Sequence, residues 1–563
     1  MPATGHRSRL RRVLLHLWCL ALTGAVFWPF LVTVGRTGDT SALLLRDMSV
    51  PPTMALNDLA TGQDGLPRAL PQDAVLAWLS PVIPPPLLVA VLMLVCGYVG
   101  ALGAAGLAGW AGQTGRTEQP RRTGPVAFLA AALTLWNPFV AERLLQGHWS
   151  VVAADVLLPT LALLIVRATT RSLLLALPVL VVCALTPTGL ILGMVTSLVV
   201  CTVSTPGRRW IRALLTAVVG AVLALPWLIP ALVNAGASAS LSDAAGAELF
   251  AARSEPWVGT LGALAGLGGI WNADAVPASR DALAPVSTLA GVVLAMVAVA
   301  VACAVAAAAA KVRKAASDTL VSDHPPLRWA PLAWLALAAV LVPALMATGP
   351  GLAVTGWLIE NVPGAGLVRD TQKFVVLAVP GLIAVLAQVP TVVGGFTGRT
   401  WVPQVSVLSL LVLVWVSVPA LPRDVGDVAT VSMDSTYRTV VEQVDQWAQG
   451  PGNEVHPRTL LWPPGNYRMV ADRPVLDPLL KMLPGAPVDP GYLIVDGQLV
   501  DGDVDTVRLM GELANGEDTL ADNDVDLVVV QDVPTDADAE AHDVLERHEL
   551  LWADDGWSLH AVR

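Results

Sequence analysis

Charged side chains are scarce in this chain of 563 residues. Only 14% of the residues are Asp, Glu, Lys or Arg, whereas 54% are hydrophobic and the mean hydropathy is +0.62. Soluble domains carry about 25% charged residues. The composition therefore excludes an ordinary soluble protein and predicts a polytopic membrane protein with a soluble appendage.

The signatures of several protein classes are also missing. The sequence has no Walker A motif, no HExxH, no CxxC pair and no GxGxxG that opens a helix in a βαβ unit. No soluble module has a basic face, so nothing points to a nucleic-acid partner. All five cysteines lie in apolar segments, where they are typical of small buried hydrophobes. They are Cys19, Cys96, Cys183, Cys201 and Cys303.

Charge is divided unequally along the chain. Residues 421–563 hold 28 acidic and 9 basic residues, a net charge of −19, and the preceding residues have a net charge of +8. We therefore divide the chain into a membrane domain, residues 1–420, and an acidic domain, residues 421–563. The acidic domain has the pattern of a small α/β domain. The predicted helices are Tyr437–Gln449 and Asp536–Leu551, and the predicted strands are Arg458–Trp462, Asp526–Gln531 and Gly556–Arg563.

Eleven apolar segments predict about eleven transmembrane helices. The first follows four N-terminal arginines and is too long for the core of a signal peptide. The segments are Val13–Val34, Leu87–Trp110, Val126–Pro138, Val151–Val166, Leu173–Leu185, Leu190–Val203, Leu214–Val233, Val286–Ala310, Ala330–Ala347, Phe374–Val393 and Val402–Pro419. Of the lysines and arginines outside the acidic domain, 17 lie on the side of the N-terminus and 8 on the other. This asymmetry predicts a cytoplasmic N-terminus in the plasma membrane and an extracytoplasmic C-terminal domain.

The first loop on the outer side, residues 36–86, is long and rich in aspartate. A carboxylate at the membrane surface has the chemistry of a general base for a lipid-borne substrate. Asp47 is the first candidate because Arg46 beside it can order the turn, and Asp39 is the second. Solvation alone also accounts for any one of these acids. Arg68 in the same loop is a predicted substrate contact.

Two later outer segments combine cations with polar residues. One reads Asn137-Pro138-Phe139, then Glu142-Arg143-Leu144-Leu145, then Gly147-His148-Trp149. The other reads Arg369-Asp370, then Gln372-Lys373-Phe374. Cations near a helix start bind phosphate well. We therefore predict a phosphate site formed by Arg143, His148, Arg369 and Lys373. We also predict that Glu142 and Asp370 contact the substrate. The plainer alternatives are a lipid-headgroup contact for Arg143 and a helix cap for Asp370.

In these three regions the chain resembles the actinobacterial integral-membrane glycosyltransferases of the GT-C superfamily. That group includes the arabinofuranosyl- and mannosyltransferases that build arabinogalactan and lipoarabinomannan. The resemblance rests on the residues quoted above, on Gly35-Arg36 and Asp39-Thr40 at the start of the first loop, on the eleven spans and on the outer C-terminal domain. It implies a GT-C-like fold, whose partners are a decaprenyl-phosphate sugar donor, an envelope glycan or glycolipid acceptor and the bilayer.

The reaction that the resemblance implies is sugar transfer outside the membrane, by inversion in a single displacement. The first-loop acid of the superfamily maps onto Asp47 or Asp39. Many members have a tight Asp-Asp or Glu-Asp pair there, and this chain does not. The choice of base and the use of a divalent metal therefore stay open, and no metal ligand or other cofactor is assigned. The segments Trp462–Arg468 and Arg473–Pro478 are candidate acceptor contacts, although core packing explains Trp462 equally well.

Two other functions compete with catalysis. A non-catalytic scaffold or accessory protein for envelope polysaccharide assembly would keep the cationic lipid contacts but would need no base. A lipid-linked-sugar flippase would need ionisable residues through the bilayer midplane. Asp155 is the one clear candidate for such a residue, and it lies near one end of its span.

Overall fold

The computed structural model describes most of the chain. The described residues are 3–36, 38–63, 69–113, 124–203, 206–234, 245–317, 327–362, 364–399, 401–489, 491, 493–495, 498–500, 502–531, 539–554 and 556–562. The membrane domain is almost entirely helical. Its helices are α1 (Ala3–Val26), α2 (Trp28–Gly35), α3 (Asp58–Thr61), α4 (Gln72–Leu79), α5 (Pro85–Ala111), α6 (Pro125–Leu135), α7 (Pro138–Gln146), α8 (Trp149–Arg167), α9 (Thr170–Cys183), α10 (Pro187–Cys201), α11 (Pro206–Asn234), α12 (Ala245–Leu249), α13 (Gly259–Ala265), α14 (Ala278–Ala282), α15 (Val286–Ser317), α16 (Ala330–Met346), α17 (Gly349–Asn361), α18 (Ala378–Leu386), α19 (Val389–Thr397) and α20 (Val402–Ser417).

The C-terminal region alternates helices and short strands. Its helices are α21 (Leu421–Asp424), α22 (Thr436–Ala448), α23 (Leu479–Met482), α24 (Val504–Ala514) and α25 (Ala539–Leu545). The strands of the chain are β1 (Ser41–Leu45), β2 (Met48–Val50), β3 (Val431–Ser432), β4 (Arg458–Trp462), β5 (Tyr467–Val470), β6 (Arg473–Leu476), β7 (Ala486–Val488), β8 (Leu493–Val495), β9 (Gln498–Val500), β10 (Leu527–Val530), β11 (Glu549–Asp554) and β12 (Trp557–Ala561).

The apolar helices make this chain a multi-pass membrane protein. Each predicted span overlaps an observed apolar helix. Within the described residues, seven helices are long and apolar enough to cross a membrane, or up to nine if the bent pairs α1–α2 and α16–α17 each count as one span. Helices α9 and α10 have 14 and 15 residues, fewer than the roughly 20 that a hydrocarbon core requires. The count of eleven therefore stays a prediction.

Close helix packing centres on α5 and α8. Small residues let membrane helices approach each other, because the backbone itself then forms the contact surface. A Cβ atom at Gly100 would overlap the Val156 carbonyl, and one at Gly103 would overlap Thr160. Helix α8 is almost wholly buried as a result.

The C-terminal domain has a five-stranded sheet in the order β11-β12-β10-β4-β7, in which β10, β4 and β7 run parallel. Alternate residues point into cores on opposite faces, Leu461 into one and Leu460 into the other. The predicted strand Arg458–Trp462 is confirmed with the same bounds. The helix predicted for Asp536–Leu551 is wrong at its end, because Glu549–Asp554 pairs with β12 as a strand.

The loop of residues 36–86 packs into the C-terminal domain. Strand β1 pairs with β3, and its residues Ala42 and Leu44 belong to one of that domain's cores. Asn57 donates hydrogen bonds to the carbonyls of Leu480 and Leu483. The division at residue 420 stays a prediction, but the two regions share a continuous interface, and the candidate site lies at it.

Candidate functional site

Asp47 sits in a tight turn between β1 and β2. Arg46, in the same turn, has a φ of 49°, a left-handed conformation that costs energy for a residue with a side chain. Its guanidinium donates to the carbonyls of Leu145 at 2.5 Å and Asp274 at 2.8 Å. These two anchors hold the turn against the membrane domain, as Arg46 was predicted to do, and so fix the position of Asp47.

Helix α7 brings the second predicted segment to this turn. The helix begins after Asn137, whose side chain accepts a hydrogen bond from the Val140 amide, and it ends at Gly147 with a φ of 93°. Arg143 and Gln146 lie one turn apart on the helix and are buried. His148 follows immediately and is half-buried. The side chains of Arg143, Gln146 and His148 therefore lie wholly or partly inside the fold.

Asp47 accepts hydrogen bonds from three side chains. Its Oδ2 contacts His148 Nε2 at 2.8 Å and accepts from Gln146 Nε2 at 3.0 Å. Its Oδ1 accepts from the hydroxyl of Tyr467 on β5. The Asn272 amide donates to Gln146 Oε1 at 2.7 Å, which orients the Gln146 NH₂ group toward Asp47.

The tautomer of His148 follows from its neighbours. Arg143 Nη1 lies 3.1 Å from His148 Nδ1, and a guanidinium can only donate. His148 Nδ1 is therefore the acceptor, and the proton lies on Nε2, which donates to Asp47. In this arrangement the imidazole bridges Arg143 to Asp47.

These contacts keep Asp47 ionised. Burial raises the pKa of Asp47, but the contacts with His148, Tyr467 and Gln146 outweigh burial and lower the pKa. Burial, followed by the charge of Asp47, raises the pKa of Tyr467, so its hydroxyl stays protonated and remains a donor. The Asp47 side chain is 27% exposed and can meet a ligand.

Arg143 and Asp370 form a buried ion pair across 227 residues of chain. Arg143 Nη1 donates to Asp370 Oδ2 at 2.6 Å and Nη2 donates to Oδ1 at 3.0 Å. The remaining Nη hydrogens are directed to His148 and Gln372. Burial raises the pKa of Asp370, but the charge and hydrogen bonds of Arg143 outweigh it and lower the pKa. Asp370 directly precedes the 3₁₀ helix Thr371–Leu377, but its side chain makes no capping hydrogen bond to that helix, contrary to the plainer alternative.

We call this group the polar cluster. Its members are Asp47, Arg143, Gln146, His148, Asp370, Gln372 and Tyr467. All four Nη hydrogens of Arg143 are used within the cluster, so in this structure Arg143 positions Asp370 and His148 and has no terminal N–H left for a phosphate.

Two predicted phosphate ligands border the cluster. Arg369 lies over the ring of Phe250, 4.3 Å from its centroid. Lys373 is half-buried within electrostatic reach of Asp370, Arg143 and Arg369. Among the described residues, Lys373 contacts the Phe374 ring at 5.6 Å but makes no hydrogen bond or ion pair. Its ammonium group is therefore available to an anion.

Glu142 lies behind the cluster. It is fully buried, and its Oε2 accepts hydrogen bonds from the Ile270 amide at 3.1 Å and from Gln372 Nε2 at 3.3 Å. Gln372 in turn accepts from Arg143. No solvent reaches the Glu142 carboxylate, so in this structure it holds Gln372 in position, and a contact between Glu142 and the substrate stays a prediction.

Asp39 and Asp155 lie apart from the cluster. The Asp39 side chain is 90% exposed and lies 3.6 Å from Arg438 of α22. Asp155 is buried inside α8, and neither carboxylate oxygen has a hydrogen-bond partner among the described residues. Arg68 lies outside the described residues. Of the two candidate bases, only Asp47 belongs to the polar cluster.

Three cluster residues were missed from the sequence as site residues. Gln146 and Gln372 carry no charge, and neither was assigned a role, although each lies within three residues of a predicted site residue. Tyr467 lies in a segment that was noted as an acceptor contact, 420 residues from Asp47, and no spacing signal connects the two. Within the described ranges, no group of three or more His, Cys, Asp or Glu side chains could hold a metal ion.

Comparisons with known proteins support the fold. No family model and no curated protein matches the chain. Among solved structures, the chain is similar to the cryo-EM structure of the arabinofuranosyltransferase AftD from Mycobacteria, with a TM-score of 0.53 and 15% sequence identity. The match covers 96% of this chain and 41% of that one. The chain thus shares its fold with part of an arabinofuranosyltransferase and spans about two fifths of that protein's length.

Proposed function

We propose that this chain is a membrane glycosyltransferase that moves a sugar, arabinofuranose or mannose, from a decaprenyl-phosphate donor to a cell-envelope glycan or glycolipid. The observation that carries the proposal is Asp47, an ionised and partly exposed carboxylate in the polar cluster. Lys373 lies at the cluster's border and makes no ion pair within the part of the chain that the structure describes. A base and a cationic phosphate site are the two groups that such a transfer requires. The arabinofuranosyl activity named for AftD favours arabinofuranose.

In the proposed reaction the acceptor hydroxyl attacks the anomeric carbon of the donor. The new bond forms between the acceptor oxygen and that carbon, while the bond from the carbon to the phosphate oxygen breaks. The electron pair leaves with the polyprenyl phosphate, whose charge Lys373 and Arg369 stabilise. The acceptor proton passes to Asp47. Because the contacts of Asp47 lower its pKa, we expect this transfer late in the displacement, when the attacking oxygen has become acidic.

We place this reaction on the outer face of the plasma membrane, with the N-terminus in the cytoplasm and the C-terminal domain outside. The excess of Lys and Arg on the N-terminal side supports this orientation. The acceptor would then be an envelope polymer or glycolipid beyond the membrane.

The proposal is tested with the full chain in lipid nanodiscs. Decaprenyl-phosphate arabinofuranose and decaprenyl-phosphate mannose are offered separately with a synthetic glycan acceptor. We expect one of the two sugars to be transferred with inverted anomeric configuration. Transfer of neither sugar would contradict the proposal.

Replacing Lys373 with glutamine is expected to weaken donor binding about 10- to 100-fold, because a hydrogen bond to a charged group contributes about 1.5–3 kcal/mol. The measurement is the Kd for decaprenyl phosphate, together with the KM for the donor. Lys311→Gln is the matched control, since Lys311 is an exposed lysine at the end of α15. An unchanged Kd in Lys373→Gln would remove Lys373 from the phosphate site.

Replacing Gly147 with alanine is expected to lower the transfer rate about 100-fold, because a shift of about 1 Å in a reacting group can have an effect of this size. A Cβ atom at Gly147 would lie 2.6 Å from the Leu45 carbonyl oxygen and 3.0 Å from the Asp47 carbonyl carbon, and would displace the turn. Gly398→Ala is the control for backbone strain, since Gly398 also has a positive φ but nothing within 4 Å. Equal rates in the two variants would contradict the displacement of Asp47.

A further inference from the structure

The hydrogen bonds of Asp47 are distributed unequally between its two oxygens. An ionised carboxylate has about four lone-pair sites, two on each oxygen. His148 and Gln146 both contact Oδ2 and so occupy its two sites. Oδ1 accepts only from Tyr467 among the described residues. Oδ1 is therefore the oxygen with room for one more hydrogen bond.

Strand register directs the Tyr467 hydroxyl to this oxygen. Tyr467 pairs with Leu476 in the β5–β6 hairpin. The Leu476 amide donates to the Arg46 carbonyl at 2.9 Å, and the Arg46 amide donates to the Pro474 carbonyl at 2.7 Å. These two hydrogen bonds join the hairpin to Arg46, the residue before Asp47. They hold the hairpin and the Asp47 turn in a fixed relative position.

We infer that the acceptor hydroxyl binds at Asp47 Oδ1 beside Tyr467, so that the C-terminal domain forms the acceptor side of the active site. This inference rests on the proposed function. A hydroxyl that donates its proton to Oδ1 lies next to the phenol oxygen, which still has lone pairs for a neighbouring hydroxyl of the same sugar. The ligand class is a glycan with adjacent hydroxyl groups. Tyr467 then contacts the acceptor and also positions the base.

The phosphate site lies on different residues. Lys373 and Arg369 belong to the membrane domain, whereas Tyr467 belongs to the C-terminal hairpin. A change at Tyr467 should therefore affect acceptor kinetics and leave donor binding intact. This separation distinguishes a role in acceptor binding from a general loss of structure, which would affect both.

The test is Tyr467→Phe in the full chain, which removes one hydroxyl group. We expect the KM for the acceptor to rise and kcat to fall, with a combined loss in kcat/KM of about 10-fold or more, because a hydrogen bond to a charged group is lost. The Kd for decaprenyl phosphate should stay within about twofold of the wild-type value, which corresponds to less than about 0.5 kcal/mol. Tyr437→Phe is the matched control, since Tyr437 lies in the same domain against Trp557, 5.0 Å between ring centroids, and its hydroxyl makes no hydrogen bond to a residue of the polar cluster.

Two results would overturn the inference. If Tyr467→Phe matches Tyr437→Phe in acceptor KM and kcat while Asp47→Asn is inactive, the acceptor binds elsewhere although the proposed function stands. If Tyr467→Phe weakens donor binding as much as acceptor use, Tyr467 has a structural role only. Full activity of Asp47→Asn is a separate result, which would contradict the proposed base itself.

Discussion

Replacing Asp47 with asparagine is expected to lower the rate of sugar transfer by about 10²–10⁴-fold, the range over which a general base contributes. Asparagine has nearly the same shape as aspartate but no affinity for the acceptor proton. The change should reduce kcat with little effect on the Kd for decaprenyl phosphate, because the cations of the phosphate site are untouched. The measurement is single-turnover transfer of labelled sugar by the full chain in nanodiscs.

Asp39→Asn is the control for this variant. It removes a carboxylate from the same loop, but from a side chain that is 90% exposed and pairs only loosely with Arg438. We expect its transfer rate to stay within about twofold of the wild-type rate, since exposed ion pairs contribute little. If Asp39→Asn transfers sugar slowly while Asp47→Asn stays active, the base is Asp39 and not Asp47.

The same two variants separate catalysis from a scaffold role in cells. A deletion strain is complemented with the wild-type chain or with the Asp47→Asn, Asp39→Asn double variant, at equal protein levels. We expect the double variant to leave the envelope glycans of the deletion strain unrestored. Full restoration would favour a non-catalytic accessory protein, which needs the cationic lipid contacts but no base.

The helical fold could be predicted from the sequence because bilayer insertion leaves a strong local signal. Each long apolar segment overlaps an observed helix, whereas α17 and the short helices of the loops were not predicted. The sequence of the β1–β2 hairpin, which carries Asp47, shows no comparable signal. Two-residue turns of this kind favour Asn-Gly or Asp-Gly, whereas this turn is Arg46-Asp47. Distant carbonyls, those of Leu145 and Asp274, hold Arg46 in the left-handed conformation, so the turn depends on tertiary contacts.

The roles within the site were harder to predict than its membership. Charge and position marked Arg143, His148, Asp370 and Lys373 as one outer group, and the first three of these do meet in the polar cluster. A sequence does not show which cation has a partner. Arg143 meets Asp370 across 227 residues and has all four Nη hydrogens occupied, whereas Lys373, three residues after Asp370, forms no ion pair among the described residues. Which cation is available to a phosphate depends on that pairing.

Replacing Arg143 with methionine is expected to destabilise the fold by about 3–5 kcal/mol, because removing one partner of a buried ion pair leaves the other charge uncompensated. Asp370 would lose both strong donors, and His148 would lose the contact that fixes its tautomer. The midpoint of thermal unfolding in detergent should therefore fall well below that of the control Arg438→Met, which removes an arginine that is half exposed. The Arg143→Met, Asp370→Asn double variant should recover part of the loss, since no unpaired charge remains buried. The contrary result is that Arg143→Met unfolds at the same temperature as the wild type and only raises the KM for the donor. In that case Arg143 binds the phosphate directly, and its ion pair with Asp370 breaks when the donor is bound.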